Sequence, residues 1–78
     1  MRFGVADSAL KPGRGISYSD VVFVANNGDY IGIDIRGRMW WLGTTEAGLD
    51  IEVAGFVPPG DPKVIILHHS FPMKWRKR

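Results

Sequence analysis

Apolar residues recur at alternate positions over most of the chain, in short runs bounded by glycine, proline and asparagine, which is the spacing of half-buried strands. Phe3 and Val5 predict a short first strand, and Val21 to Ala25 a second. Tyr30 to Ile35 and Met39 to Leu42 predict a third and a fourth, joined by a tight turn at Arg36-Gly37. Leu10 to Asp20 reads as a loop, because Pro12, Gly13 and Gly15 oppose regular structure.

Asn26-Asn27-Gly28-Asp29 is the strongest local signal. Asn-Gly accepts the positive φ angles of a type I′ turn, so it predicts a hairpin with Val24 opposite Ile31 and Val22 opposite Ile33. One face of that hairpin, with Val22, Val24, Ile31, Ile33 and Ile35, reads as core. The other carries Phe23 and Tyr30. The next strand places Trp40 beside Ile33 and Trp41 beside Gly32, where a glycine leaves room for a flat indole.

Leu49, Ile51 and Val53 alternate with Asp50 and Glu52, as in a half-buried strand. A helix competes here, since Leu49, Val53 and Phe56 also fall at i, i+4 and i+7 and Thr45 offers a cap. The β-branched residues and flanking glycines favour the strand. Pro58 to Pro62 must be a loop. Lys63 to His69 is apolar on both faces, so it predicts a central strand with a second layer over it.

These elements predict an all-β fold of five or six short antiparallel strands, closed as a small SH3-like or OB-like barrel or packed as a compact two-sheet sandwich. An α+β fold follows instead if 45–54 is helical. The chain has 78 residues, enough for one domain. We assign that domain to residues 1–73 and a basic tail to 74–78.

Composition narrows the chemistry. There is no cysteine, so disulfides, thiolate metal sites and thiol nucleophiles are excluded within the chain. The net charge of +2 is unevenly spread: residues 1–73 hold six basic and eight acidic side chains, and Lys74, Arg76, Lys77 and Arg78 supply four more positive charges. No apolar run reaches the length of a membrane span and the start lacks a secretory signal pattern, so a cytoplasmic protein without membrane contact is expected.

Catalytic signals are sparse. His68 and His69 are adjacent on a predicted strand, so they should point to opposite faces and not share one ion. Asp50 and Glu52 read as a solvated strand face. Lys11 to Gly15 mixes glycine with cations but lacks the spacing of a phosphate-binding loop, and the serines lack a nucleophile-elbow context. No cofactor or metal is implied.

The expected function is therefore non-catalytic binding, of the accessory-subunit or inhibitor type, with a protein partner or a second copy of the chain. The expected surface is Phe23, Tyr30, Met39 and Trp41, rimmed by Arg36 and Arg38. The alternative is nucleic-acid binding through the tail, where Trp75 would stack on a base and Lys74, Arg76, Lys77 and Arg78 would meet phosphates. A small ribonuclease built on His68 or His69 with Lys74 or Arg76 comes third.

Overall fold

The computed structural model describes residues 2–75, Trp75 by its backbone alone. Five strands form one mixed sheet: β1 (Arg2–Val5), β2 (Asp29–Ile33), β3 (Met39–Thr44), β4 (Asp50–Phe56) and β5 (Val64–Pro72). Their order across the sheet is β1-β5-β4-β3-β2. Strands β2 to β5 run as an antiparallel meander, and β1 pairs in parallel with β5. The helix α1 (Tyr18–Asn27) connects β1 to β2 and covers one face. The sheet stays open, so neither the expected barrel nor the sandwich forms.

The decisive departure lies at residues 18–27. Val21 to Ala25, expected as a strand, is the middle of α1. Ser17 caps the helix: its Oγ accepts from the Asp20 N–H at 3.3 Å, and its own N–H donates to Asp20 Oδ2 at 2.9 Å. Val21, Val24 and Ala25 then fall at i, i+3 and i+4 and are all buried. Burying that stripe outweighs the modest strand preference of valine. The expected Asn27-Gly28 hairpin turn is the helix end, where the Gly28 N–H donates to the Val24 carbonyl at 2.8 Å.

One consequence reaches the far side of the molecule. With residues 21–25 in a helix, β2 loses the strand expected beside it and becomes an edge. Ile31, Ile33 and Ile35, expected as core, are each more than half exposed. Segment 45–54 is a turn followed by the first five residues of β4, the strand that its alternation predicts, so the helical part of the fold comes from elsewhere in the chain.

Two turns of the meander are built alike. The Asp34 N–H donates to the Arg38 carbonyl at 2.8 Å and the Gly37 N–H to the Asp34 carbonyl at 3.0 Å; Thr45, Gly48 and Leu49 repeat the pattern at 2.8 and 2.9 Å. Gly37 and Gly48, with φ of 83° and 90°, supply the left-handed residue that such three-residue hairpins require. The longer loop shifts the register expected for β2 and β3. Trp40 faces Gly32, Trp41 faces Tyr30 and Met39 faces Ile33, with Ile31 left over as a bulge.

The core lies between α1 and the sheet: Val21, Val24 and Ala25 meet Trp41, Ile51, Val53, Ile65 and Leu67. Phe3 on β1 packs edge-on against Trp41, ring centroids 5.9 Å apart. Trp41 is only 5 % exposed, so it belongs to the core and not to an external surface.

Candidate functional site

The six residues expected to form a binding surface are dispersed. Phe23 is half-buried on α1, and Met39 and Trp41 point under the helix. Tyr30 is exposed on β2, with its ring 5.6 Å from that of Trp41. Arg36 and Arg38 sit on the turn that follows β2. Of the basic tail, Lys74 is exposed in a final 3₁₀ turn, Met73–Trp75, while Arg76, Lys77 and Arg78 lie outside the described residues.

Two other surfaces take their place. The first is the β2 edge. Its outer side pairs with no strand among the described residues, and Tyr30, Ile31 and Ile33 are 53, 57 and 64 % exposed, with Ile35 fully exposed just beyond. Isolated exposed apolar side chains are ordinary on a protein surface, but four within six residues along a free strand edge form a patch.

The second surface is the sheet face opposite α1. Alternation along β3, β4 and β5 puts Trp40, Glu52, Ala54, Phe56, Ile66, His69 and Phe71 there. His68 and His69 both lie there because β5 carries a bulge: Ala54 pairs with His69 but Gly55 pairs with Leu67, so His68 is the extra residue. The two histidines therefore share a face, contrary to the strand-alternation expectation. His69 meets Trp40 and His68 meets Phe56, each with ring centroids 5.5 Å apart.

Most of this face is internally matched. The guanidinium of Arg38 lies 5.4 Å over the Trp40 ring, and that of Arg14 lies 4.9 Å over the Phe71 ring. His69 and Phe71 stack with 10° between their planes. The His69 Nε2–H donates to Oε2 of Glu52 at 2.9 Å, and Glu52 is only 4 % exposed. Together these contacts form a ladder Arg38, Trp40, His69, Phe71, Arg14 that lies over Ala54 and Glu52. Its rings and charges hold one another in place, so the ladder fixes positions more than it offers reactive groups.

Asp34 anchors the ladder at the turn. Its carboxylate accepts from the Trp40 indole N–H, the Arg38 Nε and the Arg36 and Arg38 backbone N–H groups, at 2.9 to 3.0 Å. These bonds, that of Trp40 foremost, hold the carboxyl well below the usual carboxylate range. His68 is also held below its ordinary value, which for an imidazole favours the neutral ring. Burial, and then electrostatic repulsion from its neighbours His69 and Arg38, push it down.

Sequence reasoning missed Arg14 and Phe71 as partners in the ladder and Phe56 as the partner of His68. Phe56 and Phe71 were findable in principle, since an antiparallel pairing of 50–56 with 64–72 brings both onto the face of Trp40. The bulge at His68 and the reach of Arg14 around the edge of β5 left no local signal. Among the described residues, no three His, Asp or Glu side chains gather where they could hold a metal ion, and no helix is long and apolar enough to cross a membrane. Compared with family models, with curated proteins and with solved structures, the chain matches none, so its site is read from its own geometry alone.

Proposed function

We propose that this chain is a non-catalytic binding protein that engages another polypeptide by strand addition at the β2 edge, and that the occupant is a second copy of itself. The observation that carries this reading is the row Tyr30, Ile31, Ile33 and Ile35 on a strand with one unpaired side. A free edge offers backbone N–H and C=O groups in register for an added strand, and apolar side chains beside it add burial. A single helical layer over five strands leaves so small a domain with a limited core, which a shared sheet would extend.

Self-pairing suits this strand in particular. An antiparallel two-fold through the Ile31–Gly32 peptide sets Tyr30 across from Ile33 of the second copy on the face of Trp41 and Met39. Aromatic against β-branched is a favourable cross-strand pair. The second copy also arrives with the same twist and the same bulge.

Sedimentation equilibrium tests the reading. A dimer is expected at tens of micromolar, and Ile33→Lys should give a monomer with unchanged circular dichroism, because Ile33 is exposed. A wild-type chain that remains monomeric at that concentration would sink the proposal.

A further inference from the structure

The ladder on the open face leaves one part unmatched. Beyond Phe56 the chain leaves the sheet, and Val57 and Pro59 join Phe56, His68 and the turn residues Arg36, Gly37 and Arg38 around a shallow hollow. Among the described residues, no carboxylate lines it. Arg38 is matched by Asp34 at 2.9 Å, whereas the Arg36 side chain forms no ion pair among the described residues. Phe56, more than a third exposed, and the His68 ring present two aromatic planes beside these cations.

The end of β4 and the middle of β5 make the hollow chemically distinctive, because they set Phe56 and His68 beside the turn arginines. Alternation from Ile66 and Leu67 carries His68 onto the open face beside Phe56, and the bulge that follows keeps His69 on that face as well. A cationic corner and an exposed aromatic ring thus stand next to each other. That pairing matches a ligand with a phosphate at one end and a planar base at the other: guanidinium groups recognise phosphate oxygens, and an aromatic side chain accepts a stacked base.

We infer that the hollow is a binding site for a nucleotide unit, with the phosphate held by Arg36, Arg38 and His68 and the base laid against Phe56. The unit is either a free nucleotide or one residue of a single-stranded nucleic acid, since both present the same phosphate and base. This site is separate from the β2 edge and does not depend on self-association. The tail is not required for it.

His68 reports on occupancy. Burial is the main cause that lowers the affinity of its ring for a proton; of the titratable and charged groups around it, His69 and Arg38 lower it further and Asp34 raises it. A phosphate in the hollow adds negative charge beside the ring, so a bound nucleotide should raise the His68 pKa.

The test is a proton–carbon NMR titration of the full chain at low salt, following the imidazole resonances of His68. Three probes are used: inorganic phosphate, uridine monophosphate and a six-nucleotide oligouridylate. The nucleotide should shift the His68 and Phe56 signals, raise the His68 pKa and bind at least about tenfold more tightly than phosphate, the increment expected of one base stacked on an aromatic ring. Arg36→Ala and Phe56→Ala should each weaken nucleotide binding about tenfold while leaving the dispersed spectrum of a folded chain. Oligouridylate binding more tightly than the mononucleotide with the same His68 shift would identify a single strand as the source; equal affinities would identify the free nucleotide. Phosphate binding as tightly as nucleotide, an oligouridylate that binds without moving His68, or affinity unchanged in Arg36→Ala would each overturn the assignment, as would no binding at all.

Discussion

Trp40 donates its indole N–H to Oδ2 of Asp34 at 2.9 Å, tying the second strand position of β3 to the turn that precedes it. The same carboxylate accepts three further bonds from Arg36 and Arg38, and all four favour its charged form. Its pKa is thus lower folded than unfolded, and the linkage has a definite sign. The stabilisation is fully present above the ordinary carboxylate pKa of about 4 and is lost as pH falls through the lower folded value. Urea midpoints measured from pH 6 down to pH 2 should fall at the acid end. Asp34→Asn should be less stable at neutral pH and show a flatter acid limb; an unchanged limb would mean that other carboxylates dominate it.

His68 is expected to add a separate slope nearer neutrality. Burial, and then repulsion from His69 and Arg38, lower its folded pKa, so the folded state favours the neutral ring. Stability from this source is complete above the ordinary imidazole pKa of about 6.5 and declines as pH falls through the depressed value. The stability difference between pH 7.5 and pH 5.5 should shrink in His68→Gln. An identical difference in both proteins would show that the ring does not contribute.

Gly28 and Gly43 should both resist substitution, for a reason unrelated to backbone freedom. Gly28 has φ of −80°, which any residue adopts, yet a Cβ there would lie 2.6 Å from the Leu42 carbonyl oxygen and 2.7 Å from that of Val24. A Cβ on Gly43 would sit 3.1 Å from the Gly28 Cα and from Cγ1 of Val24. The helix end and β3 meet backbone to backbone. Gly28→Ala should cost about 1 to 3 kcal/mol as overpacking, and Gly43→Ala less, because the valine side chain can give way. Gly48→Ala, in open space at φ of 90°, should cost about 1 to 2 kcal/mol through its left-handed backbone instead. Denaturant melts of the three variants rank them directly.

Trp41→Ala should remove most of the stability of the domain. Truncating a buried tryptophan costs about 3 to 5 kcal/mol, comparable to the whole margin of about 3 to 5 kcal/mol expected of so small a core. Loss of the near-ultraviolet circular dichroism and of chemical-shift dispersion is the expected outcome. A variant that stays folded would show that Phe3 and Tyr30 close over the gap.

How far the sequence could be read depended on the range of the interactions involved. Strands β1, β3 and β4 follow from short apolar runs bounded by turn residues, and β5 from a stretch apolar on both faces, because each is a local record of burial. The same pattern marks β2 as a strand, but Ile31, Ile33 and Ile35, which read as core, are its exposed edge and the turn beyond it. That reversal traces to Val21–Ala25, where three valines and an Asn-Gly pair mimic a hairpin. The Ser17 and Asp20 capping box was present in the sequence, and so were Val21, Val24 and Ala25 at helical spacing.

By itself the sequence determined a small domain without cysteine chemistry, rich in short strands, with its positive excess at one end, because those properties are set by composition and nearest neighbours. Only the tertiary structure decided that the helix lies over the sheet and leaves β2 as an edge, because a stripe of small apolar side chains gains more by burial than valine gains in a strand. It also decided that His68 and His69 share a face, because one extra residue opposite Ala54 and Gly55 undoes the alternation that adjacent residues otherwise obey.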